Sequence, residues 1–433
     1  MPRRNGLRSQ IAPSKAVITT GEIFANGAVI ELASGRSSPK PDLLLWNGNK
    51  VRIAYRVNHN NCTYEAPELS PSIFRATRFP RKCGRYASIR DLFDEISDLF
   101  SRYPHCPDRE SRLLAFFGLS TWLADSLPTS PALEICGDQR RGLEVLRLLH
   151  CVCRHPLLLG EITAGGLLSL PLHLRFTFLI NQSAMTPRMR RMLCASAHRD
   201  LYFPNRGVLL DLFGPKAVAL GVDDDPNILG EEAIRVFLEP APTFVSLNAR
   251  LQDEIASHFQ PRLLMFRLNN LARVRESQID FPEFASPTRQ LARTLSACLS
   301  EDRELLFEVM RLLRTQDQDW REQRASAIQC LIVEVLLGLI HQGETRDIPV
   351  HRISDLANAL SRSRGGRLDY GAEETGWKLK TLGLVRHRTS SGSQLLLDGD
   401  TSRVVHRLAR LYELPAAREA AENCPECTKV TVP

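Results

Sequence analysis

Residues Ala132-Leu133-Glu134-Ile135-Cys136 read as a short buried strand that runs straight into Gly137-Asp138-Gln139-Arg140-Arg141-Gly142-Leu143-Glu144, and an apolar helix follows. Strand, G-x-x-x-x-G, helix is the frame of a phosphate-binding loop, in which backbone N–H groups at a helix N-terminus cradle an anion. In a working loop the second glycine is followed by Lys and Ser/Thr; here those positions hold Leu143 and Glu144. Further along, Phe176-Thr177-Phe178-Leu179-Ile180 reads as a second buried strand. It ends in Asn181-Gln182, where such proteins carry an acidic pair.

The missing groups are the ones that do chemistry. The loop lysine places a point charge on the β- and γ-phosphates, and the hydroxyl holds Mg²⁺. Leu143 supplies neither, and Glu144 is expected to place a carboxylate where a phosphate would sit, satisfying the helix dipole from within. Asn181 lacks the negative charge that the Mg²⁺ environment requires, and Gln182 is a poor base for polarising water. Amides of carboxylate shape keep the packing and lose the charge. Arg140 and Arg141 lie inside the loop and offer an alternative source of positive charge, in which case ATP with Mg²⁺ is the cofactor; otherwise none is expected.

The net charge of +7 is unevenly spread: residues 1–90 hold fifteen Lys/Arg against five Asp/Glu. That excess suits a polyanion such as nucleic acid, and equally a solvated basic surface. Apolar content of 43% and charged content of 24% are those of a globular chain and exclude wholesale disorder. The eleven cysteines are scattered, and most lie in apolar stretches, which suits a reducing cytosol better than a disulfide framework. No signal peptide follows Met1-Pro2-Arg3-Arg4, and the greasiest stretch, 157–180, is broken by Glu161, Pro171, His173 and Arg175. A cytoplasmic protein that spans no membrane is the expectation.

Pattern divides the chain. Residues 1–84 read as a basic arm and a small β-rich region, with strands at 28–32, 43–46 and 51–55 around an Asn47-Gly48 turn. Residues 85–243 alternate helices and strands, the mark of a parallel sheet covered on both faces. Residues 244–343 are nearly all helical. Residues 344–415 give helix, helix, two strands, helix, the order of a winged helix-turn-helix. There Lys378 and Lys380 lie on the second helix, and Arg386, His387 and Arg388 lie on the wing, as candidate phosphate contacts. The balance of twelve Lys/Arg to eight Asp/Glu over 345–415 is modest. A wing used for protein contacts is the competing reading. The tail 416–433 is expected to be loose. Its Cys424-Pro425-Glu426-Cys427 is half a zinc site, and no second Cys/His pair lies close by in the chain, so no metal is expected.

This order of parts resembles the AAA+ ATPases of phage and plasmid primase-helicases, which are related to superfamily 3 helicases, over roughly residues 85–415. Phe213-Gly214-Pro215-Lys216-Ala217 matches a strand of the bacterial primase-helicase-associated family. The resemblance implies an α/β fold: a P-loop AAA+-like core, a β-rich N-terminal region, a helical bundle and a C-terminal winged helix. It places the family's nucleotide-site positions on Gly137, Gly142, Leu143, Glu144, Asn181, Gln182 and Lys216, and a family arginine on Glu232. It implies DNA and a helicase- or primase-like protein as partners, and leaves open assembly as a homo- or hetero-oligomer. The expected protein is a catalytically inactive accessory or scaffold in a mobile-element replication or defence system. An atypical NTPase using Arg140 or Arg141, and an interaction module that takes neither nucleotide nor DNA, are the alternatives.

Overall fold

The structure, a computed structural model, describes residues 16–35, 41–48, 50–182, 184–221, 227–240, 245–299, 301–345, 347–366, 369–390, 392–412, 414 and 424–428. The basic arm 1–15 and most of the tail lie outside the described residues. The chain forms two compact units, Met1–Arg314 and Thr315–Pro433.

In the first unit the strands β1 (Val17–Ile18), β2 (Gly21–Ile23), β3 (Val29–Ser34), β4 (Pro41–Trp46), β5 (Val51–Ala54), β6 (Arg56–His59) and β7 (Cys62–Glu65) build two small sheets, ordered β2-β3-β4-β5 and β1-β7-β6. The β3–β4 and β4–β5 pairs are antiparallel, the second as the turn at Asn47-Gly48 predicts. The turn between β4 and β5 is longer than a two-residue hairpin, because Trp46 pairs with Val51.

The helices α1 (Pro71–Ala76), α2 (Ile89–Arg102) and α3 (Asp108–Thr121) follow. Ser88 caps α2, its hydroxyl accepting from the Asp91 N–H at 3.0 Å.

Next come β8 (Ala132–Gly137), α4 (Gln139–Val152), β9 (Pro156–Leu159), α5 (Ala164–Leu168), β10 (Thr177–Asn181), α6 (Pro187–Ala195), β11 (Tyr202–Asn205), β12 (Val208–Asp211), β13 (Lys216–Leu220) and β14 (Ile234–Leu238). Five of these strands form one parallel sheet in the order β14-β8-β13-β10-β9. Its central strands are near-continuous apolar runs because helices cover both faces. β12 is not part of that sheet; it pairs antiparallel with β11 as a separate hairpin. The chain leaves β8 toward one edge and crosses from β13 to β14 toward the other, so the strand order reverses between β8 and β13. The crevice outside the carboxyl ends of those strands is where ligands bind in open α/β sheets.

The β-rich region is not a domain of its own. Along β3, Val29 and Ala33 enter a core with Leu92, Phe93 and Leu113, whereas Ile30 and Leu32 enter a second core with Leu157, Phe178 and Val218. Between them points Glu31, fully buried. It accepts from Arg154 Nη2 at 2.7 Å and from Arg267 Nε at 2.7 Å. Arg267 also reaches Asp125, with Nη1 to Oδ1 at 2.7 Å and Nη2 to Oδ2 at 2.5 Å. Two carboxylates and two guanidiniums thus tie β3, the turn that follows α3, the connection between α4 and β9, and helix α7 (Ala249–Glu276) together.

The expected helical bundle 244–343 is divided instead. α7 and α8 (Ser286–Ser296) pack into the first unit's core through Phe259, Leu263, Leu264, Leu291 and Leu295. α9 (Arg303–Ala325) runs across the division. α10 (Ile328–His341) joins the second unit, whose core sets Ile332 and Leu336 against Ile353, Leu379, Leu395 and Val405. The second unit continues with β15 (Asp347–Pro349), α11 (Val350–Ser363), α12 (Ala372–Thr381), β16 (Arg386–Thr389), β17 (Gly392–Leu396), α13 (Gly399–Leu411) and the short α14 (Pro425–Thr428). Its three strands form an antiparallel sheet ordered β15-β17-β16. No single helix among the described residues is long and apolar enough to cross a membrane.

Candidate functional site

The crevice at the end of β8 is built differently from the loop that the sequence predicts over 137–144. Helix α4 begins at Gln139, so a single residue, Asp138, separates it from the strand. Gln139, Arg140 and Arg141 form the first helical turn, and Gly142 lies within the helix. Gly142 serves close packing: a Cβ there would come within 3.2 Å of the Ala219 side chain on β13. Gly137 has φ +111°, and the Leu238 carbonyl of β14 lies where its Cβ would be, so only glycine fits this exit from the strand. The Asp138 N–H donates to that same carbonyl at 3.0 Å.

The helix N-terminus is occupied from within. The Asp138 carboxylate accepts from the N–H of Arg140 at 2.9 Å and of Arg141 at 3.3 Å. These are donors that a bound phosphate would use. The expectation that Glu144 fills this place is corrected: Glu144 is buried a turn further on. It accepts from the Leu247 N–H at 3.0 Å, the Ser246 hydroxyl at 3.2 Å and Arg147 Nη1 at 2.6 Å. It thereby fastens the turn that leads into α7. Arg141 does not face the crevice as a substitute lysine. Its guanidinium is buried and donates to the carbonyls of Pro104 at 3.0 Å, His105 at 2.7 Å and Glu239. Arg140 is exposed, and Leu143 is half-buried on the helix.

Of the replaced acidic pair, Gln182 is hydrogen-bonded into the frame, whereas the Asn181 side-chain oxygen has no hydrogen-bond partner among the described residues. Asn181 ends β10 opposite Ala219, with its side-chain oxygen buried. Gln182 accepts from the Ile162 N–H at 2.9 Å and donates to the Ala184 carbonyl at 3.0 Å, pinning the chain ahead of α5.

Lys216 does not belong to the crevice. It pairs with Ala132 at the opposite end of the sheet, about 16 Å of strand from Gly137. It is fully buried, its Nζ has no hydrogen-bond partner among the described residues, and burial pulls its pKa down to about 7. Near that end lies a cavity of about 210 Å³ lined by Thr129, Cys194, His198, Glu232 and Gln290. Glu232, expected at an arginine position, stands there with its carboxyl pKa raised by burial.

In the second unit Lys380, Arg386 and Arg388 line one groove of about 1000 Å³ between α12 and the β16–β17 hairpin, together with Glu373 and Ser393. The Arg386 guanidinium lies over Gly376, where any larger residue would displace it. Lys378 is not in that lining; its Nζ sits 5.0 Å from the centre of the Trp377 ring, which is 58% exposed. Cys424 and Cys427, expected to be unaccompanied, lie beside His341 and His406.

No family model matches the chain, and no curated protein matches it. Among solved structures the chain is similar to two apo structures of the NrS-1 C-terminal region, both at 11% identity. One has a TM-score of 0.36, covering 85% of this chain and 97% of that chain; the other has 0.37, covering 86% and 96%. It is also similar to a full-length MCM homolog from Methanopyrus kandleri at 10% identity and TM-score 0.33, covering 67% and 78%.

Proposed function

We propose that this chain is a catalytically inactive AAA+-like protein whose C-terminal unit is a winged helix that contacts DNA. It acts as an accessory or scaffold beside a helicase- or primase-like partner. The mobile-element replication or defence setting is the one that the sequence resemblance implies. The observation that carries the reading is the direct passage from β8 into α4, with the Asp138 carboxylate on the N–H groups that a phosphate needs. The DNA contact is supported by helix, strand, two helices, hairpin and helix in the order α10, β15, α11, α12, β16–β17, α13, and by three cations around one groove.

Two measurements test it. Titrating ATP with and without Mg²⁺ is expected to give no binding heat and no phosphate release; turnover removes the inactive reading. Mobility shifts on duplex DNA across a salt series are expected to show binding that weakens steeply with salt. In Lys380→Ala/Arg388→Ala the affinity falls and the log–log slope becomes shallower by about 2. An absent or salt-insensitive shift leaves a protein-contact unit in its place. Asp138→Ala is expected to lower stability by about 1 kcal/mol in urea melts, the cost of an N-cap, without creating hydrolysis.

A further inference from the structure

Four side chains from three separate segments converge in the second unit. His341 is the last residue of α10, His406 lies in α13, Cys424 immediately precedes α14 and Cys427 lies within it. Their ligand atoms, two imidazole nitrogens and two sulfurs, all lie within 4.8 Å of one another. His406 Nε2 is 3.2 Å from Cys424 Sγ, and His341 Nε2 is 3.4 Å from Cys427 Sγ. A tetrahedral zinc ion with Zn–S near 2.3 Å and Zn–N near 2.05 Å sets its nitrogen–sulfur edges at about 3.5 Å. The observed pairs match that spacing.

The surroundings are those of a ligand set. His406 is buried, and its Nδ1 lies 2.7 Å from the Ser402 carbonyl. A carbonyl only accepts, so Nδ1 carries the proton and Nε2 presents its lone pair toward Cys424. Such an outer hydrogen bond fixes the tautomer of metal-bound histidines. The Cys424–Cys427 spacing, closed by the Cys427 N–H donating to the Cys424 carbonyl at 3.1 Å, places both sulfurs on one side of the turn. Arg410 Nη2 donates to the Glu426 carbonyl at 2.7 Å and holds that turn against α13.

We propose that His341, His406, Cys424 and Cys427 form a structural Zn²⁺ site that fastens the C-terminal CxxC segment to α10 and α13. Four protein ligands close the coordination sphere, which marks a structural site rather than a catalytic one. Two thiolates and two imidazoles favour zinc over magnesium or calcium, whose ligands are oxygens. On binding, each cysteine releases its thiol proton to solvent. The two thiolates then balance the dication, leaving a neutral centre that partial burial tolerates. This inference is independent of the DNA and nucleotide readings.

The test uses the full-length chain, purified under reducing conditions without chelator and with Zn²⁺ supplied. One equivalent of zinc per chain is expected after gel filtration. Replacement with Co²⁺ is expected to give the thiolate charge-transfer and d–d bands of a tetrahedral two-sulfur site. Cys424→Ser/Cys427→Ser is expected to abolish both signals, His406→Ala to weaken metal binding by more than about tenfold, and Cys62→Ser to leave both unchanged. A readout on the unmodified chain guards against misfolded variants. Alkylation of Cys424 and Cys427, mapped by peptide mass, should be slow with zinc and fast after chelation. Metal-free protein with no cobalt spectrum, metal that survives the double cysteine variant, a Cys424–Cys427 disulfide in reduced preparations, or alkylation indifferent to chelator would each overturn the proposal.

Discussion

Glu31→Gln is expected to destabilise the protein by about 3–5 kcal/mol, read as a fall in the urea midpoint at pH 7 with the slope unchanged. The glutamine has nearly the same volume, so no cavity is created. What it removes is the charge that Arg154 and Arg267 share in a site from which water is excluded. Breaking one member of such a set leaves its partners buried and uncompensated, which costs far more than a surface pair is worth. A double-mutant cycle separates the charge effect from packing: in Glu31→Gln/Arg154→Met the two losses should fall well short of additive. The same cluster sets an acid limit. Arg154 and Arg267 outweigh the opposing effect of burial and hold Glu31 well below the usual carboxylate range, while Asp125 is held at about 2. Folded-state values below unfolded ones mean that this stabilisation is complete above about pH 5 and is lost as pH falls toward 2. In Glu31→Gln much of that acid-side slope should disappear.

Lys216→Met is expected to act in the opposite direction and raise stability by about 4 kcal/mol at neutral pH. The lysine is fully buried in β13 with no acceptor for its ammonium among the described residues, and its pKa falls to about 7. Each unit of depression is worth about 1.4 kcal/mol, and methionine keeps the unbranched stem. The sign with pH follows. Below about pH 7 the folded protein carries the full penalty of a buried charge. Between pH 7 and about 10.4 the unfolded chain binds the extra proton, so wild-type stability climbs with pH. The advantage of methionine should therefore shrink as pH rises and vanish above that range. Equal midpoints for the two proteins at pH 7 would mean that Nζ finds compensation in the folded state.

These two positions also show where the sequence was and was not informative. The parallel sheet was legible because 177–180 and 217–220 are mostly apolar runs too short for helices, 132–136 is one interrupted only by Glu134, and all three alternate with amphipathic helices. The start of α2 is legible in Ser88 as a cap and in Ile89, Leu92, Phe93 and Ile96 at helical spacing. The G-x-x-x-x-G match was misleading because both glycines answer to packing against sheet residues. The second glycine answers to the methyl group of Ala219, and the first to a carbonyl on β14, and neither requirement involves a phosphate. Spacing alone does not distinguish a loop between two glycines from a helix that has already begun. Arg141 and Glu144 look like functional charges in a string of letters; their partners, Pro104, His105, Ser246 and Leu247, are remote in sequence. Glu31 reads as one acidic residue in a strand, and nothing local indicates Arg267 as its partner. The same holds for Cys424 and Cys427, whose companions His341 and His406 are dispersed histidines until α10 and α13 pack. Domain boundaries failed where β3 buries both of its faces, because hydrophobic pattern shows that a strand is covered and not by what.

The one-residue connector between β8 and α4 has a consequence for engineering. Writing lysine at 143 and threonine at 144 would place both side chains on the second turn of a continuous helix, past the reach of the field at its start. Chain length, rather than chemistry, is what such a redesign would have to supply: several inserted residues after Gly137, long enough to arch over a triphosphate before the first helical turn closes.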